Sequence, residues 1–309
     1  MAKGYVTKST GSWYNVRLES GEFINARLKG KFRTKGIRTT NPITVGDVVE
    51  VLNSEEDEAV ISELEPRKNY LIRKSTNLSK ESHIIASNID QIVVVLTVAM
   101  PRTPLGFVDR VLATAEAYDI PVILAFNKVD IYSPTDEDRF DELIGIYGPI
   151  GYSMLATSAI TAKGIPELRE MMKDKTTLFT GQSGVGKSSL INALDANLDL
   201  WVDEISDYND KGKHTTTFAE MHFTDFGARL IDSPGLRSFG MIDIDKEHLA
   251  HYFKEMEQFL GECKFNNCVH INEPGCAIKK AIERGDISES RYRNYLMMFN
   301  DEDLKIKYK

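Results

Sequence analysis

A small all-β barrel, a doubly wound α/β domain and a mostly helical, cysteine-bearing C-terminal domain are predicted along this 309-residue chain. Three observations predict that order. The N-terminal part holds only short alternating runs; from about residue 88 apolar strands alternate with amphipathic helical segments; and all three cysteines fall between 263 and 276. The length allows two or three domains, and 27% charged against 42% apolar residues is the balance of a globular protein.

In the first domain (1–67), "WYNVRLESGEFINARL" reads as two alternating strands around a Ser-Gly turn. "TVGDVVEVLNSEEDEAVISEL" reads as two more around an acidic turn. Several short strands in so few residues point to a closed barrel of the OB type. "EPRKNYLIRKSTNLSKESH" is polar, basic and weakly periodic, so 68–87 reads as a linker.

The net charge of −8 argues against a protein that coats nucleic acid generally, but its distribution is uneven. Residues 1–38 hold nine Lys/Arg against two Glu, with Lys29, Lys31, Arg33, Lys35 and Arg38 in an alternating run; residues 39–65 hold eight acids and no base. A local cationic patch suited to RNA phosphates is expected there, against the plainer reading of a solvated strand face.

The second domain (88–243) opens with "NIDQIVVVLTVAM", a buried strand. A helix at 107–119, the strand "IPVILAFN", a helix at 136–148, the strand "GYSMLATSA", the helix "GIPELREMMK" and the strand "TTLFTG" follow. The third domain (244–309) opens on "DKEHLAHYFKEMEQFL", read as one helix with an apolar stripe of Leu249, Tyr252, Phe253, Met256, Phe259 and Leu260; His248 and His251 are ordinary residues of it. No apolar leader opens the sequence, and the longest apolar stretch is about half a membrane span. A cytoplasmic monomer with no membrane contact is expected, and three cysteines cannot all pair within one chain, which argues against a disulfide framework.

The chemistry lies in four motifs. "GQSGVGKSS" fits G-x-x-x-x-G-K-[ST] between a strand and a helix. Gly181, Gln182, Ser183, Gly184, Val185 and Gly186 would cradle phosphate oxygens, Lys187 would reach the β/γ-phosphates, and Ser188, followed by Ser189, would ligate Mg²⁺. "LIDSPG" supplies Asp232 for the Mg²⁺ water shell and the Gly235 N–H for the γ-phosphate. Between them "DKGKHTTTF" offers Thr215, Thr216 and Thr217 as alternative switch ligands. "NKVD" would read guanine: Asp130 accepts two bonds from the base edge, Asn127 bridges loop and base, and the Lys128 stem covers the ring. "TSA", with Ser158 and Ala159, would meet the base oxygen from the next strand. Leu236 stands where many GTPases place a water-orienting Gln, so another group must serve, and His214 is the candidate catalytic residue. Lastly, Cys263, Cys268, His270 and Cys276, spaced C-x4-C-x-H-x5-C, can complete a closed, structural Zn²⁺ site.

The base-reading motifs precede the phosphate loop, the reverse of the ordinary GTPase order. A sheet whose ends lie close can be cut and rejoined elsewhere without moving its site, so the arrangement reads as a circularly permuted P-loop GTPase domain. The competing readings are an ATPase or nucleotide kinase with a chance NKVD, and a binding module in which nucleotide is structural.

Taken together, the β-rich start, "NKVD", "TSA", "GQSGVGKSSL", "GKHTTT", "DSPG" followed by an apolar residue, and the Cys/His cluster resemble the ribosome small subunit-dependent GTPase A family (RsgA, also YjeQ/YloQ) over nearly the whole chain. The resemblance implies an OB-fold domain, a permuted GTPase domain and a zinc-binding domain. It also implies GTP hydrolysis to GDP stimulated by the small ribosomal subunit in late maturation of that subunit, contact with its rRNA, and a catalytic His at His214.

Overall fold

The computed structural model describes residues 2–28, 42–53, 59–74, 82–200, 219–233 and 245–300. Its first five strands are β1 (Ala2–Ser9), β2 (Tyr14–Leu18), β3 (Phe23–Leu28), β4 (Val48–Asn53) and β5 (Ala59–Leu64). They run β1-β2-β3-β5-β4, and β1 pairs β4 antiparallel to close the barrel. Val6, Tyr14, Val16, Ala26, Ile43, Val49, Val51 and Ile61 fill its core. β1 carries the alternation of a half-buried strand, although the sequence patterns it less clearly than the two hairpins.

The expected linker is structured. Residues Tyr70–Lys74 (β6) and Ser82–Ser87 (β7) pair as an antiparallel two-stranded ribbon. Its buried apolar residues, among those described, are Leu71, Ile72 and Ala86, too short a set to show periodicity in a basic, polar stretch. A buried carboxylate fastens it to the barrel: Asp47 accepts from Arg67 Nε at 2.7 Å and from Ser87 Oγ at 2.6 Å. Gly46 makes this approach possible, because a Cβ there would lie 2.1 Å from the Ser87 carbonyl oxygen.

The α/β unit follows the expected alternation. β8 (Gln91–Leu96), α1 (Leu105–Ala117), β9 (Val122–Phe126), α2 (Pro134–Tyr147), β10 (Ser153–Ala156), α3 (Ile165–Met172), β11 (Thr176–Gly181) and α4 (Lys187–Leu194) come in turn. β12 (Glu220–Phe223) and β13 (Arg229–Asp232) complete the sheet. The order is β10-β9-β8-β11-β13-β12, parallel except for β12. Continuous apolar strands suit a sheet covered on both faces. Ile92, Val94 and Leu96 of β8 face α1 and α2, whereas Val93 and Val95 face α3 and α4. The barrel joins the free edge of this sheet, where β1 pairs β12 through Lys8↔Glu220.

The C-terminal region differs from its expected opening. In place of one helix there is a 3₁₀ turn over Lys246–Tyr252, a break at Phe253 with extended backbone, and a short helix α5 (Lys254–Glu257). The Phe253 ring is fully buried, edge-on to Tyr295 at 5.5 Å, and the break turns Glu255 inward. The cysteine-bearing loop, α6 (Ala277–Arg284) and α7 (Glu289–Phe299) complete the chain. Arg291 of α7, 1% exposed, donates to both Glu255 oxygens at 2.6 and 2.9 Å and to Asp109 of α1 at 2.6 Å, while Tyr147 also donates to Asp109 at 2.7 Å. Two carboxylates share one guanidinium here. Burial would lower the Arg291 proton affinity, but Asp109 and Glu255 outweigh it and hold the group charged. Burial raises Asp109 above its ordinary range against the pull of Arg291 and Asn294. No helix of the described residues is long and apolar enough to cross a membrane.

Candidate functional site

β11 ends at Gly181 and α4 starts at Lys187, so 182–186 turn between a buried central strand and a helix N-terminus that has no side-chain cap. The unpaired N–H groups of such a first turn are anion acceptors' natural partners. Gly186 has φ 85°, and a Cβ there would lie 2.6 Å from Asn127 Nδ2, so the turn and its neighbour both need glycine. Val185 is buried, Ser183 and Gly184 are exposed, and Gln182, Lys187, Ser188 and Ser189 are half-buried.

Asn127 leaves β9 and is 2% exposed. Its Nδ2 donates to the Val185 carbonyl at 2.9 Å, and its Oδ1 accepts from Thr157 Oγ1 at 3.3 Å. One amide therefore ties the phosphate loop, the NKVD turn and the TSA strand end together. Lys128 takes the left-handed conformation at φ 62°, and its Nζ donates to the carbonyls of Gly184 at 2.6 Å and Met100 at 2.9 Å. Burial lowers the Lys128 proton affinity, with Asp130 acting the other way. Asp130 is exposed in the 3₁₀ turn Val129–Ile131, anchored where the Val129 N–H meets the Thr157 carbonyl at 3.2 Å. Ser158 is buried and its Oγ accepts from the N–H groups of Ile160 and Thr161, shaping the turn that presents half-buried Ala159.

On the phosphate side, Lys187 Nζ donates to Asp232 Oδ1 at 2.7 Å, with the two side chains 13% and 11% exposed. β13 delivers Asp232 beside Phe179 of β11. A triphosphate with its cation could divide this pair, the ammonium going to phosphate oxygens and the carboxylate to the cation's water shell, with the Ser188 hydroxyl adjacent in sequence. His214, Thr215, Thr216, Thr217, Gly235 and Leu236 lie outside the described residues, as do Lys29, Lys31, Arg33, Lys35 and Arg38.

One part of the site was missed from sequence: the loop after β8. Thr97 Oγ1 donates to the Pro101 carbonyl, the Thr97 N–H donates to Thr103 Oγ1 at 3.0 Å, and Met100 supplies the carbonyl that receives Lys128. The Pro101 ring lies 3.4 Å from where a Gly184 Cβ would be. "TVAMPRTPL" acts through backbone carbonyls, so side-chain identity signals little; its paired prolines are the only hint.

In the C-terminal loop the donor atoms of Cys263, Cys268, His270 and Cys276 all lie within 4.8 Å of one another. His270 Nδ1 is 3.6 Å from the Cys263 sulfur and 3.5 Å from that of Cys276. Burial pushes the Cys268 thiol up to about 12 and raises Cys276, while it lowers His270 and so keeps the imidazole neutral. Three crowded thiols and a neutral imidazole fit a soft divalent cation, whose charge would offset that burial. The loop is braced from outside. Glu273 accepts from the N–H groups of Val269, Ile271 and Asn272 at 2.8–3.0 Å, and Tyr292 donates to the His270 carbonyl at 2.7 Å.

The profile of the family described as RsgA GTPase matches residues 64–242, and that of the RsgA N-terminal domain matches 3–61. A small ribosomal subunit biogenesis GTPase RsgA of Bacteroides fragilis is 50% identical over 301 residues, 97% of each chain. The protein of that name from Flavobacterium psychrophilum is 49% identical over 97% of this chain and 93% of its own. Among solved structures, YjeQ from Thermotoga maritima superposes with a TM-score of 0.76 at 36% identity, covering 97% of this chain and 98% of its own. YloQ, described as a circularly permuted GTPase, gives 0.72 at 28% identity, covering 99% and 96%. With its barrel, its reordered nucleotide motifs and its cysteine cluster all accounted for, the chain belongs to the RsgA GTPase family.

Proposed function

We propose that this protein hydrolyses GTP to GDP and phosphate in the biogenesis of the small ribosomal subunit, and that the subunit stimulates its turnover. The carrying observation is the Asn127–Val185 bond, which joins two motifs 58 residues apart and in reversed order into one site. The names of the relatives, small ribosomal subunit biogenesis GTPases, support the biological setting.

In this reading Asp130 accepts from the guanine edge, Lys128 covers the ring, and Ser158 and Ala159 face the base oxygen. Gly181 to Ser189 hold the phosphates, with Ser188 and Asp232 serving Mg²⁺ and Gly235 the γ-phosphate. One of Thr215, Thr216 and Thr217 completes the cation's shell. His214 orients the attacking water that Leu236 cannot. The cysteine cluster holds one structural Zn²⁺. Residues 1–67 meet rRNA, 88–243 bind nucleotide, and 244–309 form the zinc domain, with 68–87 bridging the first two. The protein acts as a cytoplasmic monomer.

GTP turnover with and without purified small subunits tests the proposal. A several-fold rise on adding subunits is expected, and an unchanged rate would overturn it. His214→Ala should lower that turnover while leaving nucleotide affinity intact.

A further inference from the structure

We propose that Thr103, in the loop after β8, is a positioning residue for Lys128, and that this loop thereby sets how long a guanine nucleotide stays bound. That role presupposes the guanine-site reading above and gives the site a wall outside its nucleotide motifs.

An ammonium has three N–H groups. Lys128 Nζ places one on the Gly184 carbonyl of the phosphate loop at 2.6 Å and one on the Met100 carbonyl at 2.9 Å, which leaves the third for a ligand. Both acceptors are neutral backbone oxygens, so the ammonium is only as well placed as the two segments that carry them. Asn127 fixes the phosphate-loop side through the Val185 carbonyl at 2.9 Å. Two threonines fix the other side. The Thr97 N–H donates to Thr103 Oγ1 at 3.0 Å, the Thr103 N–H returns to the Thr97 carbonyl at 2.9 Å, and Thr97 Oγ1 donates to the Pro101 carbonyl. These straps draw residues 97–103 into a closed turn. Thr97 is 2% and Thr103 4% exposed, so water does not compete for the bonds. Met100 is 74% exposed. Its side chain packs too little to aim its own carbonyl, and the straps do so instead.

A plain connection between β8 and α1 would need the straps and nothing more. This loop also bears on the nucleotide motifs at two further points. The Pro101 ring lies 3.4 Å from where a Gly184 Cβ would be. The Tyr132 hydroxyl, just beyond NKVD, donates to the Asn127 carbonyl at 3.1 Å, and the Val98 backbone bonds the same oxygen. Phosphate loop, NKVD turn and β8 loop thus meet around the Lys128 stem, which covers the base. Removing Thr103 Oγ1 strands a buried N–H at Thr97, a loss that the turn relieves by opening. The Met100 carbonyl then leaves Lys128, and the base loses its cover. Groups around the γ-phosphate are untouched, so residence shortens without harm to the hydrolytic step.

The test uses the full-length protein with Mg²⁺ and N-methylanthraniloyl-GDP, whose release into excess GDP is followed by fluorescence. Thr103→Val keeps the shape but not the acceptor, and should release the nucleotide about three- to ten-fold faster. Thr103→Ser, which restores the hydroxyl, should match the parent. With Lys128→Met already in place, Thr103→Val should add little, because its effect passes through the ammonium. In Thr103→Val the GTP concentration for half-maximal turnover should rise, while turnover at saturation should not fall. Unchanged release in Thr103→Val, or equal acceleration with and without Lys128→Met, overturns the proposal. Saturating turnover that falls in step with affinity overturns it too. Thermal melting checks the fold; if Thr103→Val melts early, Thr97→Val, which removes the strap to Pro101, takes its place with the same expectations. Discrimination by the parent between the GDP and ADP derivatives, measured in parallel, judges the guanine reading separately.

Discussion

Two contacts of the α/β unit are built in opposite ways, its β12 edge against the barrel and its α1 helix against the C-terminal region. At the β1–β12 edge the barrel meets it through one backbone register pair, Lys8↔Glu220, with an ion pair at 2.9 Å whose side chains are both 35% exposed, and through the Arg17 guanidinium over the Phe223 ring. The C-terminal region touches it through Arg291, shut between Asp109 and Glu255 with almost no solvent contact. A solvent-screened pair adds little and gives way easily. A buried, fully bonded guanidinium tolerates few alternative arrangements, since moving either side strands a charge. The β1–β12 edge is thus a solvent-screened contact, and the Arg291 junction is a lock.

The largest effect should come from breaking the lock. Arg291→Met leaves two buried carboxylates facing each other and should cost about 3–5 kcal/mol in denaturant unfolding. Asp109→Asn should cost less, about 1–3 kcal/mol, because it removes a carboxyl that burial already disfavours in its charged form while keeping the shape. If the two substitutions cost the same, the shared-guanidinium account is wrong.

Next comes the brace of the cysteine loop. Burial works to raise the Glu273 carboxyl, but backbone N–H donors outweigh it and hold it below its ordinary range. Its contribution is therefore present above the unfolded value near 4.3 and fades as pH falls through the lower folded value. Glu273→Gln should weaken Zn²⁺ affinity about ten-fold in a chelator competition; equal affinity would remove Glu273 from the account. The smallest effect belongs to the solvent-screened edge. Lys8→Ala should change stability by less than about 1 kcal/mol, and less still at high salt. A cost comparable to that of Arg291→Met would erase the contrast between the junctions.

Much of this was legible in the sequence, for identifiable reasons. Strands buried on both faces, such as "IVVVL" and "VILAF", announce themselves by composition, and the phosphate loop by glycine spacing. The ion lock was not legible. Arg291 sits in α7 among ordinary surface-like residues, and its partners lie 36 and 182 positions away. The ribbon at β6–β7 was read as linker because its buried apolar residues among those described are few: Leu71, Ile72 and Ala86. Within the site, the bridge from Asn127 to the phosphate loop was readable, whereas the carbonyls of Met100 and Gly184 that hold Lys128 leave no trace in residue identity. The break at Phe253 was hidden by a helical stripe that tertiary packing overrode.

The central claim is that NKVD and the phosphate loop, in reversed order, make one guanine site. Nucleotide preference of Asp130→Asn measures it most directly. The account predicts that the parent discriminates GTP from ATP and that the variant loses GTP affinity while gaining xanthosine triphosphate, whose altered base edge suits an amide. A variant that binds GTP as the parent does, or a parent that accepts ATP equally, would contradict it.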